Sequence, residues 1–277
     1  MTLVVFTAFA GLIAAPVDVD PFLALISIFA LAMGAGAAGA LNMGYDADID
    51  ATMKRTQKRP VPRGAVRPSE AYGMGIVASL LSVLIMMLAA NYLAAGLLAF
   101  SIFFYAVIYT MILKRSTPQN IVIGGAAGAF PPMIGWVSVT GDFSFASGLL
   151  FLIIFLWTPP HTWALALFRH GDYERVGVPM MPVVVGSRST KVQMLIYTLL
   201  LVPVTLVPGF IGMSGLLYTA GAGALGVLFI HHCWKLLNDD EDKHAKPTFL
   251  FSILYLFLIF AFLLIDRAAW IPMPITL

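Results

Sequence analysis

Long apolar stretches, separated by short clusters of charge, set the pattern of the chain. Residues 1–17, 21–45, 71–113, 116–141, 143–168, 192–234 and 247–265 contain no charged side chain. A helix that crosses a bilayer needs about 20 apolar residues at about 1.5 Å of rise each. Five of the runs, of 17, 25, 26, 26 and 19 residues, therefore predict one span apiece. Each of the two 43-residue runs would extend about 65 Å as a single helix, twice the hydrocarbon thickness. Each is predicted to fold back as a hairpin. Asn91 breaks the first, and Pro208-Gly209 with Gly212-Met213-Ser214-Gly215 breaks the second. The first run, at 17 residues, predicts a short span. No alternation of strand type competes, and lipid forbids open sheets. The expectation is an all-α polytopic membrane bundle of nine transmembrane helices, one domain over 1–277.

The cations test this count. With the amino end in the cytoplasm, the inside loops are 42–71, 113–118, 169–191 and 235–247. They carry 6, 2, 4 and 3 Lys or Arg, which is 15 of the 16 in the chain; only Arg267 falls outside. That segregation follows the positive-inside rule. Composition agrees: 60% hydrophobic and 11% charged residues, with a mean hydropathy of +0.91. These values exclude a cytosolic enzyme, a nucleic-acid-binding module and a disordered chain. Cys233 stands alone, so no disulfide framework or CxxC metal site exists. Residues 1–17 lack the basic start of a cleaved secretory signal.

Chemistry is expected on the cytoplasmic face, where both long loops lie. Asn42, Asp46 and Asp50 are spaced i, i+4, i+8, one face of a helix. Stacked carboxylates suit a cation between them, and Mg²⁺ takes one or two carboxylates completed by water and phosphate. An ordinary solvated helix end fits the same spacing. Asp48 points off that face and reads as plain solvation. The stripe runs into Lys54-Arg55-Thr56-Gln57-Lys58-Arg59-Pro60. Metal-binding acids beside a basic cluster suit a polyphosphate, although topology or anionic lipid also accounts for the cations. The loop His170-Gly171-Asp172-Tyr173-Glu174-Arg175 offers a further metal ligand or simply a hydrated turn. Lys114-Arg115 bring two more cations to the same interface.

The run Asn42-x3-Asp46-x3-Asp50-x2-Met53-x-Arg55-Thr56-x2-Arg59-Pro60 resembles the first aspartate motif of the UbiA intramembrane prenyltransferase superfamily. Three further stretches narrow the resemblance: Lys114 to Gly125 continuing to Pro131-Pro132 and Gly135-Trp136, Trp157-Thr158-Pro159-Pro160-His161-Thr162-Trp163, and Asp172-Tyr173-x3-Gly177-Val178-Pro179-Met180-Met181-Pro182. Together they look like the protoheme IX farnesyltransferase (haem O synthase) family, over nearly the whole chain.

That resemblance implies a reaction. Farnesyl diphosphate and water add across a vinyl group of haem b, giving haem O and diphosphate. It also implies site residues. Asn42, Asp46 and Asp50 match Mg²⁺–diphosphate binding, and Asp172 matches the second metal motif. Arg55, Arg59, Lys114 and Arg115 match phosphate-binding positions. The loop has Tyr173 and Val176 where the wider superfamily spaces further aspartates. The chain also begins inside the first helix, without the short basic, proline-containing segment usual in the family. His161 is either a haem contact or a hydrogen-bonded intramembrane histidine beside Pro159-Pro160. His231-His232 face different directions and read as interfacial, and His244 as exposed. Glycines 34, 36, 39, 124, 125 and 128 read as close-packing positions.

Implied partners are farnesyl diphosphate, haem b, membrane lipid, and haem A synthase or terminal-oxidase assembly factors, with no nucleic acid. The implied location is a bacterial inner membrane with cytoplasmic active-site loops. A superfamily member acting on another aromatic or tetrapyrrole acceptor is the alternative. A transporter fits less well, because its ionisable groups belong near mid-membrane.

Overall fold

The structure, a computed structural model, describes residues 2–268; residues 1 and 269–277 of the expected domain lie outside the described residues. Among the described residues, eight helices are long and apolar enough to cross a membrane. They are α2 (Pro21–Tyr45), α4 (Pro68–Ala89), α5 (Tyr92–Leu113), α6 (Asn120–Thr140), α7 (Phe145–Phe168), α9 (Met181–Phe210), α10 (Leu216–Leu237) and α11 (Ala245–Ala268). The ninth expected span is α1 (Thr2–Ala14), with only 13 residues, about 20 Å of rise. Two short helices, α3 (Ala47–Thr52) and α8 (His170–Arg175), lie in the long loops.

The chain folds back where the sequence predicts. Asn91 ends the first hairpin: its Oδ1 accepts from the Ala94 N–H at 2.8 Å, capping the second half of the run. Its amide donates to the Val137 carbonyl of α6 at 2.8 Å, tying the turn to the bundle. The second turn closes between Phe210 and Leu216, and Asp266 accepts from the Gly215 and Tyr218 N–H groups at 2.7 and 2.9 Å. An acid on the face opposite the long loops thus caps α10.

Two elements depart from expectation. The C-terminal part of α5, Phe104–Leu113, is wound with i→i+5 bonds as a π-helix. The apolar sequence gives no hint of this winding, which is rare. The second is α9, which starts at Met181, inside the predicted loop, and carries Arg188 and Lys191. Its polar first turns bend at Gly186, where φ is +83°, a value an L side chain rarely adopts. Lys191 is buried there and pairs with Asp242 of the α10–α11 loop, which also accepts from Ser187. These two charges therefore serve packing between elements.

Packing centres on α6 and α7. Helix α1 crosses α6 at backbone contact. A Cβ on Gly135 would lie 2.0 Å from the Ala8 carbonyl oxygen, and one on Gly11 would lie 2.1 Å from that of Pro132. Only glycine permits this approach. One core joins α7, α10 and α11 around Ile153, Trp157, Phe229 and Tyr255; a second joins α1, α2, α5 and α6 around Leu31, Leu98 and Ile134.

Candidate active site

The aspartate stripe survives a break in the helix. Helix α2 ends at Tyr45 and α3 begins at Ala47. The Asp46 N–H nevertheless donates to Asn42 O at 2.9 Å, and the Asp50 N–H to Asp46 O at 2.8 Å. The i→i−4 ladder thus carries one face through the junction. Asn42, Asp46 and Asp50 are all buried, at 6, 0 and 2% exposure. Buried carboxylates need charged or hydrogen-bonding partners. Asp46 has the Asn42 amide at 2.7 Å and the Lys114 ammonium, with Arg115 further off at 3.4 Å. Asp50 has Arg59 at 2.7 Å. The Asn42 amide also donates to Thr110 Oγ1 at 3.1 Å, and that hydroxyl donates to the Tyr105 carbonyl at 2.8 Å. The π-wound stretch is thereby joined to the acidic stripe.

These groups border a polar cavity of about 230 Å³, lined by Asn42, Asp50, Arg55, Arg59 and Lys114 among others. Arg55 reaches Tyr173, which α8 presents to the same space. Burial pushes the Tyr173 phenol up, and the cationic Arg55 partly offsets this. Five of the expected residues, Asn42, Asp50, Arg55, Arg59 and Lys114, thus meet here, and Asp46 lies directly behind the lysine.

Two expected residues are placed elsewhere. Arg115 is directed to Asp48, bonding both carboxylate oxygens at 2.8 and 2.9 Å, and lies over the Tyr45 ring. It does not line the cavity. The fork holds Asp48 down at about 2 and raises Arg115, so Asp48 is an ion-pair partner rather than plain solvation. Asp172 is buried and turned to Arg175 at 3.7 Å, while its neighbour Tyr173 faces the cavity. The placement of Asp172 has a physical reason. Residues 170–175 form a helix, not a turn, and successive helical side chains point about 100° apart.

Two apolar chambers adjoin the polar cavity. One, of about 340 Å³, is lined by Gly124, Gly128, Trp157, Thr158, Thr162 and His161 among others. The other, of about 370 Å³, lies between α2, α5 and α6 and includes Gly34, Gly39, Leu98, Pro131 and Arg59. His161 sits between the Trp157 ring at 4.1 Å and the Phe249 ring at 4.9 Å. Its Nδ1 lies 2.7 Å from Ser252 Oγ, and that hydroxyl donates its one hydrogen to the Phe249 carbonyl at 2.6 Å. Ser252 must then accept from the Nδ1–H, which leaves Nε2 with a free lone pair. His232 stacks on Phe251, and His244 bonds Asp239 in the α10–α11 loop.

Sequence reasoning missed Tyr105, Tyr109, Thr110 and Thr162. Tyr105, Tyr109 and Thr110 lie inside a long apolar run, where neither charge nor spacing marks them; Thr162 stands in the Trp157–Trp163 stretch without an assigned role.

A membrane helix bundle with buried acids and cations at one mouth, beside apolar chambers, suits transfer of an apolar group from a diphosphate. The chain belongs to the UbiA prenyltransferase family, whose model matches residues 3–265. Within it, the similar chains are protoheme IX farnesyltransferases. That of Maricaulis maris (strain MCS10) is 60% identical, over 99% of this chain and 89% of its own. That of Rhizobium rhizogenes (strain K84) is also 60% identical, over 96% of this chain and 85% of its own. Solved structures share the fold. A digeranylgeranylglyceryl phosphate synthase superposes with a TM-score of 0.81 at 18% identity, covering 97% of this chain and 94% of that one. A UbiA homologue of Archaeoglobus fulgidus bound to GPP and Mg²⁺ superposes with a TM-score of 0.68 at 16% identity, covering 94 and 95%. The protein is an integral membrane prenyltransferase.

Proposed function

We propose that this chain transfers the farnesyl group of farnesyl diphosphate to a vinyl group of haem b, with addition of water, giving haem O and diphosphate. The observation that carries the reading is the polar cavity, lined by the buried Asp50 and three cations, with buried Asp46 behind Lys114, and sharing lining residues with two apolar chambers. The names of the relatives, at 60% identity over almost the whole chain, supply the acceptor. Arg55, Arg59 and Lys114 bind diphosphate oxygens. Asn42 clamps Asp46 through its amide and keeps its own oxygen free, while Asp50 keeps one oxygen clear of Arg59. Two carboxylates and an amide oxygen fit Mg²⁺, which when bound neutralises the leaving diphosphate. Asp172 stays with Arg175 and serves the α8 fold.

The apolar chambers exclude water from the allylic carbon until the acceptor is in place. His161 offers Nε2 to the haem iron, and Ser252 holds the other nitrogen, the usual support of a metal-binding imidazole. The cation-rich loops face the cytoplasm of a bacterial inner membrane. Haem A synthase or an oxidase assembly factor receives the product. The test uses detergent-purified protein with haem b, farnesyl diphosphate and Mg²⁺, and mass analysis of the extracted pigment. Haem O supports the reading; unchanged haem b beside a prenylated aromatic acid overturns it.

A further inference from the structure

Tyr105 lines all three compartments: the polar cavity, the His161 chamber and the α2–α5–α6 chamber. Among the described residues, no other borders all three. Val4, Ala127 and Gly128 are shared only by the two apolar chambers, and Arg59 only by the polar cavity and one of them. The bond that ionises in prenyl transfer joins a phosphate oxygen to an allylic carbon. It must lie where polar and apolar compartments meet, and the acceptor must reach the same point. We propose that Tyr105 is the aromatic face against which the allylic cation forms and is captured, an inference that rests on the reaction proposed above.

The ring is well placed for this. It stacks on Tyr109 with centroids 5.5 Å apart and planes 28° from parallel. Both rings lie in the π-wound stretch, four residues apart and about one turn of helix from each other. Thr110 holds the Tyr105 carbonyl and receives the Asn42 amide, fixing the ring relative to the carboxylates. Arg59, Arg55, Asp46 and Asp50 are all within electrostatic reach of its hydroxyl. The C1–O bond breaks and both electrons leave on the diphosphate oxygen. The cationic C1 rests over the π face. The vinyl electrons form the new C–C bond to C1, the resulting cation on the porphyrin side chain takes the oxygen of water, and the proton passes to the released diphosphate. Tyr105 changes no bond; it stabilises charge and keeps water from C1.

The experiment compares wild type with Tyr105→Phe, Tyr105→Leu and a series bearing mono-, di- and trifluorophenylalanine at position 105. Haem O formation and diphosphate release are followed together, with thermal stability as a control on folding. Tyr105→Phe is expected within about threefold of wild type. Tyr105→Leu is expected to lose about 30-fold in kcat, equivalent to about 2 kcal/mol at 1.36 kcal/mol per tenfold, with KM for farnesyl diphosphate little changed. Each added fluorine withdraws charge from the ring and should lower log kcat stepwise. A flat fluorine series, or a loss confined to KM, overturns the proposal. If the leucine variant fails to fold, the near-isosteric fluorinated series still decides. If wild type prenylates an acceptor other than haem, the haem reading falls. The fluorine dependence of diphosphate release then still tests Tyr105.

Discussion

Replacing Asn42 with Asp keeps the shape of the side chain and reverses one interaction. The Asn42 amide now donates to Asp46 at 2.7 Å. In Asn42→Asp, two carboxylates would face each other at that distance in a buried site. At an effective dielectric of about 20, unit charges 2.7 Å apart repel by about 6 kcal/mol. Lys114, already paired with Asp46, offsets part of this, and Thr110 loses its donor. Even one-half of the repulsion, at 1.36 kcal/mol per tenfold, costs about 100-fold. The expected outcome is a fall in kcat/KM of at least about 100-fold at neutral pH, with partial recovery as Mg²⁺ is raised, because a divalent cation between the carboxylates removes the repulsion. The assay is haem O formation by purified protein across a Mg²⁺ series, with melting temperature measured alongside. Wild-type activity in Asn42→Asp at every Mg²⁺ concentration would mean that the Asn42 amide does not hold Asp46 for catalysis.

Four further outcomes follow from the geometry. Gly135→Val puts side-chain atoms where the Ala8 carbonyl lies, 2.0 Å from a Cβ, so detergent-solubilised protein should melt markedly lower, by an overpacking cost of about 1–3 kcal/mol or more. His161→Ala should abolish the spectral change on adding haem b, whereas Ser252→Ala should weaken it only several-fold; unchanged spectra in His161→Ala would remove the iron contact. Asp48→Asn should leave activity within about threefold, because the Arg115 pair is largely exposed and screened. The Asp48 carboxyl is held down at about 2, so the pair's contribution is complete above about pH 4 and is lost only as pH falls toward 2. Thermal stability of Asp48→Asn should therefore differ from wild type by a constant amount between about pH 5 and 9, and a gap that opens within that range would contradict the assignment.

The charge-free run 21–45 coincides with α2, residue for residue, because a proline and an acid at one end and an acid at the other mark the limits of a lipid-soluble helix. Asn91 was legible as a break for the same reason: an amide in lipid needs partners, and capping a new helix supplies them. The acidic stripe was legible because its spacing follows the hydrogen-bond ladder, which persists through the α2–α3 junction. What stayed hidden depended on contacts between distant segments. Tyr105 and Thr110 look like any residues of an apolar run until π winding and Asn42 bring them to the carboxylates. The partners of Arg115 and Asp172 depended on rotation about short helices in loops, which charge counting does not fix. The early start of α9 was masked by Arg188 and Lys191, whose partners lie about 50 residues further on.

Whether these carboxylates and cations drive farnesyl transfer to haem b can be read in a bacterial host that makes haem b but no haem O. Pigments are extracted from cells carrying the wild-type protein or Asp50→Asn at matched membrane levels and weighed by mass spectrometry. The expected pigment is the hydroxyethylfarnesyl product with wild type and haem b alone with Asp50→Asn. Wild-type cells holding only haem b, or Asp50→Asn cells with the full amount of haem O, would contradict it.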